Sequence, residues 1–362
     1  MAAPVIGKRT RRRIDSFADD FLPWPARRRA ADAPIPGAGR GELGFAEGIE
    51  MTIRIGVVGL GQIARRRHLP AIADDPRFAL SGLASLGGGP GASGIDVYGD
   101  HREMLASCAL DAVAICTPPA ARFAIARDAL LADKHVLLEK PPAATMGEAE
   151  ALVRIAACRG RVLFATWHSQ HNAAVEAARR FLVGRKLAAM RIDWNEDFRA
   201  FHPDQGWIWE ADGLGVFDMA INALSVLARI VDPPPVLRGA ELRIAANHAA
   251  PLAATLRFGT LDGHGDGRLE MHTDWNHAGP DQRELRIETA CGHRLELLDS
   301  GGTLTIDGTV AVREARAEYP ALYARFADLV RSGRSDVDLA PLRMTLDALA
   351  LGRRVTLPRF ER

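Results

Sequence analysis

"TIRIGVVGLGQIARRRHLPAI", Thr52 to Ile72, switches from one kind of local structure to another halfway along. Ile53 to Val58 is a short, branched, largely apolar run, the pattern of a strand buried in a parallel sheet. Gly59-Leu60-Gly61 is a turn, and the residues after it read as a helix. Gly59-Leu60-Gly61-Gln62-Ile63-Ala64 has the form G-x-G-x-x-A. The first glycine permits the tight turn, the second lets a pyrophosphate approach the backbone, and the small Ala64 lets helix and strand pack closely. The open N–H groups and dipole at the helix start attract negative charge. Strand before and helix after are both present, as a dinucleotide-binding turn requires.

Moving outward, "FALSGLAS" predicts a second strand at Ala79 to Ala84, ending near an adenosine ribose at Ser85. An NAD-specific domain places Asp or Glu there, and an NADP-specific one an Arg. Ser85, Leu86 and Gly87-Gly88-Gly89 supply neither, so the coenzyme is NAD or NADP without a choice between them. Asp74 and Asp75 come too early and read as cap or solvent charges. "LDAVAICTPP" holds a third strand, Ala112 to Cys116, closed by Thr117-Pro118-Pro119 at the edge where open α/β sheets bind ligands. After the helical "AARFAIARDALLADK", the strand "HVLLE" puts Glu139 and Lys140 at the same edge, followed by Pro141, which can adopt a cis bond. Of the 46 Lys and Arg residues only Lys8, Lys134, Lys140 and Lys186 are lysine, so a lysine here stands out. Lysine offers a compact charge that can be given up; arginine does not. The coenzyme-side candidates are Gly59, Gly61, Gln62, Ile63, Ala64, Ser85, Thr117, Pro118, Glu139 and Lys140.

With 362 residues the chain has room for two domains. We divide it into 51–171, a doubly wound parallel-sheet Rossmann domain, and 172–362, a substrate domain. "RLEMHTDWN" alternates Leu269, Met271, Thr273 and Trp275 against polar neighbours, and "ELRIET" and "HRLELL" do the same. These predict strands with one face covered, hence a large, mainly antiparallel sheet in an α/β second domain. Helices are expected at "PALYARFADLVRSG" and over 336–352, the latter packing back on the first domain.

Residues 1–50 hold nine Lys/Arg, seven acids, five prolines and six glycines without a sustained period. They predict a disordered leader or an upstream extension, with Met51 as the working start. Arg11-Arg12-Arg13 is followed by three aspartates in "IDSFADDFLPWP" rather than an apolar signal region. A net charge of +1 and pI near 7.8 give no reason for a nucleic-acid or membrane partner. Apolar runs of about eight residues fall short of the ~20 needed to span a bilayer. Cys108, Cys116, Cys158 and Cys291 form no tight cluster, which argues against zinc and disulfides and for a reducing cytoplasm.

In "EADGLGVFDMAINALSVLARIV", Asp218 and Asn222 are four apart and share one helix face. "ATWHSQHN" delivers His168 after the strand Val162 to Ala165, and "DWNEDFRAFHPDQGWIWE" carries Glu196 and His202 among Phe201, Trp207 and Trp209. Aromatic faces with a few acceptors suit the C–H and hydroxyl surfaces of a sugar.

Taken together, G-x-G-x-x-A, "CTPP" and "EKP" in this order, with "IARRRHLPAI", "LFATWHS", "DQGWIWE", "GLGVFDMAINALS", "EYPALYARFADLV" and "SDVDLAPLR", resemble the Gfo/Idh/MocA oxidoreductases from Met51 almost to the C-terminus. Within that family the likeness is to bacterial sugar 1-dehydrogenases that act on D-galactose or L-arabinose. The resemblance implies a Rossmann domain followed by an α/β domain whose sheet often forms a dimer face, so a homo-oligomer, and a small sugar as partner; His264, His272, His277 and His293 lack regular metal spacing, so no metal is expected. It implies sugar contacts at His168, Glu196 and His202, to which Trp275 is added as a candidate. The family often has a histidine four positions after the aspartate; Asn222 stands there instead, which leaves Lys140 or Asp218 as the base. Phe201 stands where relatives tend to have tryptophan. The alternatives are another sugar or polyol oxidoreductase of the family, or a non-catalytic sensor on the same scaffold.

Overall fold

The computed structural model describes residues 52–361 except 89, 90, 93, 202–204, 264–267 and 316. The leader expected at 1–50 and the candidate His202 lie outside the described residues. Small and branched residues form six strands: β1 (Ile53–Val58), β2 (Phe78–Ala84), β3 (Val97–Tyr98), β4 (Ala112–Ile115), β5 (His135–Glu139) and β6 (Leu163–Thr166). Their order is β3-β2-β1-β4-β5-β6, with every pairing parallel. β4 and the last four residues of β5 and β1 are buried, as expected of strands covered on both faces. The strand order reverses between β1 and β4, so a crevice opens beyond their carboxyl ends. Gly59 and Thr117 follow those ends, and Lys140 follows the same end of β5.

Nine further strands make the second sheet: β7 (Leu187–Asn195), β8 (Val236–Ala245), β9 (Ala253–Gly259), β10 (Leu269–Asp274), β11 (Gln282–Thr289), β12 (Arg294–Leu298), β13 (Thr303–Ile306), β14 (Thr309–Arg313) and β15 (Arg353–Leu357). Their order is β14-β13-β12-β11-β7-β10-β9-β8-β15. Six pairings are antiparallel; β10–β7 and β15–β8 are parallel. The α/β expectation, a parallel doubly wound sheet plus a mainly antiparallel one, is met.

Three helices pack against these layers. Phe217–Ile230 is buried on nearly every side, because it packs Phe217, Ala220 and Leu224 into the core of the second sheet and Ile221 against Ala165 and Trp167 of the first domain. A helix apolar over most of its surface belongs in an interior. Glu318–Ser332, late in the chain, inserts Tyr319, Leu322, Tyr323 and Phe326 among Ile55, Ala114 and Leu137 of the first sheet. The helix predicted over 336–352 runs from Ala340 to Leu351. Its Leu342 packs on Ala143 and Ala149, while Met344 and Ala348 join the core of the second sheet.

Candidate active site

The glycine turn has the shape its sequence implies. Gly59 has φ +91°, and a Cβ there would stand 2.9 Å from the Thr117 backbone nitrogen and side chain. Only glycine fits that close crossing of β1 and β4. Around Gly61 the reverse holds: nothing lies within 4 Å of where a Cβ would be. That open backbone surface is what a pyrophosphate needs. The helix that follows differs from the expected plain α-helix. Ala64–His68 is a π-type stretch leading into the short α-helix Leu69–Ala73, and it turns His68 fully inward. Gln62 and Ile63 are exposed beside the turn. At the far end of β2, the Ser85 N–H donates to the Tyr98 carbonyl (2.9 Å), leaving Leu86 in solvent. At the end of β4 the Thr117 hydroxyl is buried with no hydrogen-bond partner, and Pro118 is exposed beside it. An open glycine cradle and an unsatisfied hydroxyl on the same sheet edge fit a dinucleotide.

The turn after β5 is held from several sides. The Lys140–Pro141 peptide is cis. Four residues on, Thr145 and Glu148 form a reciprocal capping box that starts the helix Met146–Arg159. Glu139 is 2% exposed. Its Oε1 accepts from His68 Nε2 (3.0 Å) and from the Tyr319 hydroxyl (2.7 Å), and its Oε2 accepts from the Lys140 N–H (2.9 Å). The other nitrogen of His68 meets the Tyr323 hydroxyl at 2.9 Å. Burial would raise the Glu139 pKa, but the His68 hydrogen bond and charge, with help from His168 and Tyr319, hold it far below the carboxylate range. For His68, burial pulls downward, and Cys116, Tyr323 and Glu139 around the ring outweigh it and raise it well above the imidazole range. Both directions favour the ionic form of the pair, an imidazolium on a carboxylate. Burial and Glu139 push Tyr319 well up, and burial pushes Tyr323 up to about 12, so both stay as hydrogen-bonding phenols.

Lys140 reaches across to the Phe217–Ile230 helix, where Nζ donates to the Asp218 carbonyl (2.6 Å) and to Asp218 Oδ1 (3.1 Å). The side chains are 15% and 9% exposed, so the pair is nearly withdrawn from water while still open to the crevice. Asn222 lies one turn further along, and its Oδ1 is buried without a hydrogen-bond partner. His168 stacks on Tyr319 (centroids 5.7 Å apart) and its Nδ1 lies 3.3 Å from Glu318 Oε2. Lys140, Asp218, Asn222, Glu139 and His168 are thus one cluster. Glu196 and Trp275 belong to a different grouping. Glu196 is buried and its Oε1 accepts from Arg283 Nε (2.7 Å). Trp275, placed above among the sugar contacts, is fully buried and packs on Phe198 and Trp209, so it offers no open face to a ligand.

Residues that the sequence did not bring forward are His68, Arg122, Tyr319 and Tyr323. His68 sits in the quoted "ARRRHLPAI" with nothing local to mark it as buried. Arg122 is 6% exposed and ties the Thr117 carbonyl (2.8 Å from Nε) to the Pro141 carbonyl. Among the described residues no group of three or more His, Cys, Asp or Glu is arranged to hold a metal, and no helix is long and apolar enough to cross a membrane.

Comparison with known proteins matches this geometry. Residues 53–167 match the Gfo/Idh/MocA oxidoreductase family, described by its NAD-binding Rossmann fold. Galactose 1-dehydrogenase of Pseudomonas fluorescens is 38% identical over 316 residues, 85% of this chain and 98% of that one. The crystal structure of D-galactose-1-dehydrogenase from Rhizobium etli superposes with a TM-score of 0.80 at 41% identity, covering 88% of this chain and all of that one. A 3-ketoreductase from Actinomadura kijaniata, solved with NADP and TDP-benzene, shares the fold at 20% identity (TM-score 0.73, 85% of this chain and all of that one). The glycine cradle, the Lys140 turn and a similarity that runs through both sheets lead to one assignment: the chain belongs to the Gfo/Idh/MocA family of oxidoreductases, with an NAD-binding Rossmann fold.

Proposed function

We propose that this oxidoreductase is an NAD- or NADP-dependent sugar 1-dehydrogenase that oxidises an aldose, D-galactose or L-arabinose, at C1 to the aldonolactone. The observation that carries the reading is the Lys140–Asp218 pair. Lys140 stands at the carboxyl edge of the first sheet, 3.1 Å from a carboxylate and almost out of water, directly after β5, which pairs with β4, the neighbour of the strand that leads into the glycine cradle. The 38% identity to a galactose 1-dehydrogenase over nearly its whole length supports the substrate class.

Gly59, Gly61 and the exposed helix start after them would hold the pyrophosphate, and Thr117 and Pro118 would line the nicotinamide side. When bound, the coenzyme accepts the hydride that leaves C1. The protein's part is to hold the sugar's C1 hydroxyl at Lys140 Nζ, which takes its proton as the C1–O bond gains carbonyl character. Asp218 then shares the resulting ammonium charge, so the two groups act as one acceptor. A positioned base of this kind contributes about 10²–10⁴ in rate. The unsatisfied Asn222 Oδ1 receives a neighbouring sugar hydroxyl, and His168, fixed by Glu318 and Tyr319, borders the same space. Glu196 is assigned to the far end of the sugar. A homodimer and a cytoplasmic site belong to the same reading, by likeness to the family and from four unpaired cysteines.

The test is the rise in reduced-nicotinamide absorbance with D-galactose, L-arabinose, D-xylose, D-fucose and D-glucose, each with NAD⁺ and NADP⁺. Reduction is expected with galactose or arabinose. Nucleotide binding without reduction by any aldose would refute the assignment.

A further inference from the structure

Arg122 is a buried cation that the proposed chemistry does not use. It lies in the first turn of the helix Pro119–Leu131 and both of its hydrogen bonds go to main-chain carbonyls, Thr117 and Pro141. Among the described residues no Asp or Glu pairs with it directly. Removing a guanidinium from water without a carboxylate partner is costly, so its place calls for an explanation. The two carbonyls are informative. Thr117 lies just beyond β4, and Pro141 follows Lys140 just beyond β5, so one guanidinium clamps the ends of neighbouring strands across the spot where a coenzyme ring would lie.

Its electrostatic surroundings come from four elements. Burial lowers the hold of Arg122 on its own proton, while Glu139 from β5, Asp218 from the Phe217–Ile230 helix, Cys116 after β4 and Tyr319 from the Glu318–Ser332 helix oppose that. Arginine nevertheless stays charged in proteins. Glu139 is already committed to His68 and Tyr319, with Tyr323 and His168 beyond them. Asp218, bound to Lys140, is the other carboxylate in the field of Arg122.

We propose that Arg122 is a positioning residue that acts through Lys140: it fixes the Lys140–Pro141 turn to the segment just after β4 and places a permanent second cation near the Lys140–Asp218 pair, so that Lys140 gives up its proton when the cationic coenzyme arrives. This rests on the assignment of Lys140 as proton acceptor. A cation next to a lysine favours the neutral amine, and removing it restores the ammonium.

The experiment is the pH dependence of NAD⁺ and NADH binding, by quenching of protein fluorescence, for the wild type, Arg122→Lys, Arg122→Gln, Arg122→Met and Lys140→Met. In the wild type NAD⁺ binding is expected to strengthen through a titration midpoint that NADH, with a neutral ring, shows weakly and Lys140→Met lacks. In Arg122→Gln or Arg122→Met that midpoint moves up by about half a pH unit or more, and Arg122→Lys keeps it near the wild-type position. Either neutral variant suffices if the other does not fold. A midpoint absent from the wild type, unmoved in the neutral variants, moved equally by Arg122→Lys, or surviving in Lys140→Met would overturn the proposal. Because the readout is binding, a wild type that turns over no aldose would count against the proposed reaction and leave this comparison to stand or fall separately.

Discussion

Two regions of this protein are rich in charge and use it in opposite ways. Behind the Lys140 turn, His68, Glu139, Arg122 and Asp218 are buried and Lys140 nearly so, each held by named partners. On the outer face of the second sheet, Arg191, Asp193, Glu284, Arg286 and Glu296 form a lattice of ion pairs around two half-exposed arginines. The chemistry of the groups is the same; the solvent around them differs. A buried ion pair is strongly destabilising to break because the survivor stays uncompensated, whereas a surface pair is screened and adds little. Charge at the first site therefore sets reactivity and fold together, and charge on the second face is replaceable.

That contrast can be broken at several points. The largest effect is expected for Lys140→Ala, which should lose at least ~100-fold in turnover while still binding NADH. Steady-state kinetics and coenzyme titration check it, and near-normal turnover would remove Lys140 from the mechanism. Next is Glu139→Ala, which strands His68 and Tyr319 and frees the Lys140 N–H. Denaturant unfolding should show a loss of about 3 kcal/mol or more.

The same pair predicts the pH dependence of stability. Glu139 is depressed on folding, so its contribution is present above the unfolded carboxyl pKa of about 4.3 and is lost as pH falls below it. His68 is raised on folding, so its contribution is complete below about pH 6.5 and is lost as pH rises toward the elevated value. Stability should peak between those limits, and His68→Asn should flatten the alkaline decline. A wild-type curve still rising above neutral pH would mean that His68 is buried neutral. The smallest effect is expected on the outer face, where Arg286→Ala should shift stability by no more than about 0.5 kcal/mol and leave turnover unchanged.

The first region was also the more legible, up to a point. β1, β4 and β5 are short apolar runs closed by glycine or proline, so their carboxyl ends, and with them Gly59, Thr117 and Lys140, could be placed on one edge before any coordinates. Lys140 meeting Asp218 could be named as a pair but not as a contact, because 78 residues separate them. The network behind Lys140 was hidden for the same reason: Tyr319 is 180 positions from Glu139 and Tyr323 is 255 from His68. No local pattern marks a histidine that a tyrosine will cover from so far along the chain. Arg122 was one arginine among many in a sequence that rarely uses lysine. Trp275 carried a signal that points inward. It continues the period-two series Leu269, Met271, Thr273, all buried on the core face of β10, and a residue in that register belongs to the core.

The most direct test of the central claim, that the pair at the end of β5 serves oxidation at C1, follows an isotope. The purified protein is given NAD⁺ or NADP⁺ and D-galactose or L-arabinose bearing deuterium on C1, and both products are analysed by mass spectrometry. The account predicts deuterium in the reduced coenzyme and an unlabelled lactone. Unlabelled reduced coenzyme with deuterium kept in the sugar product would place the oxidation at another carbon and contradict it.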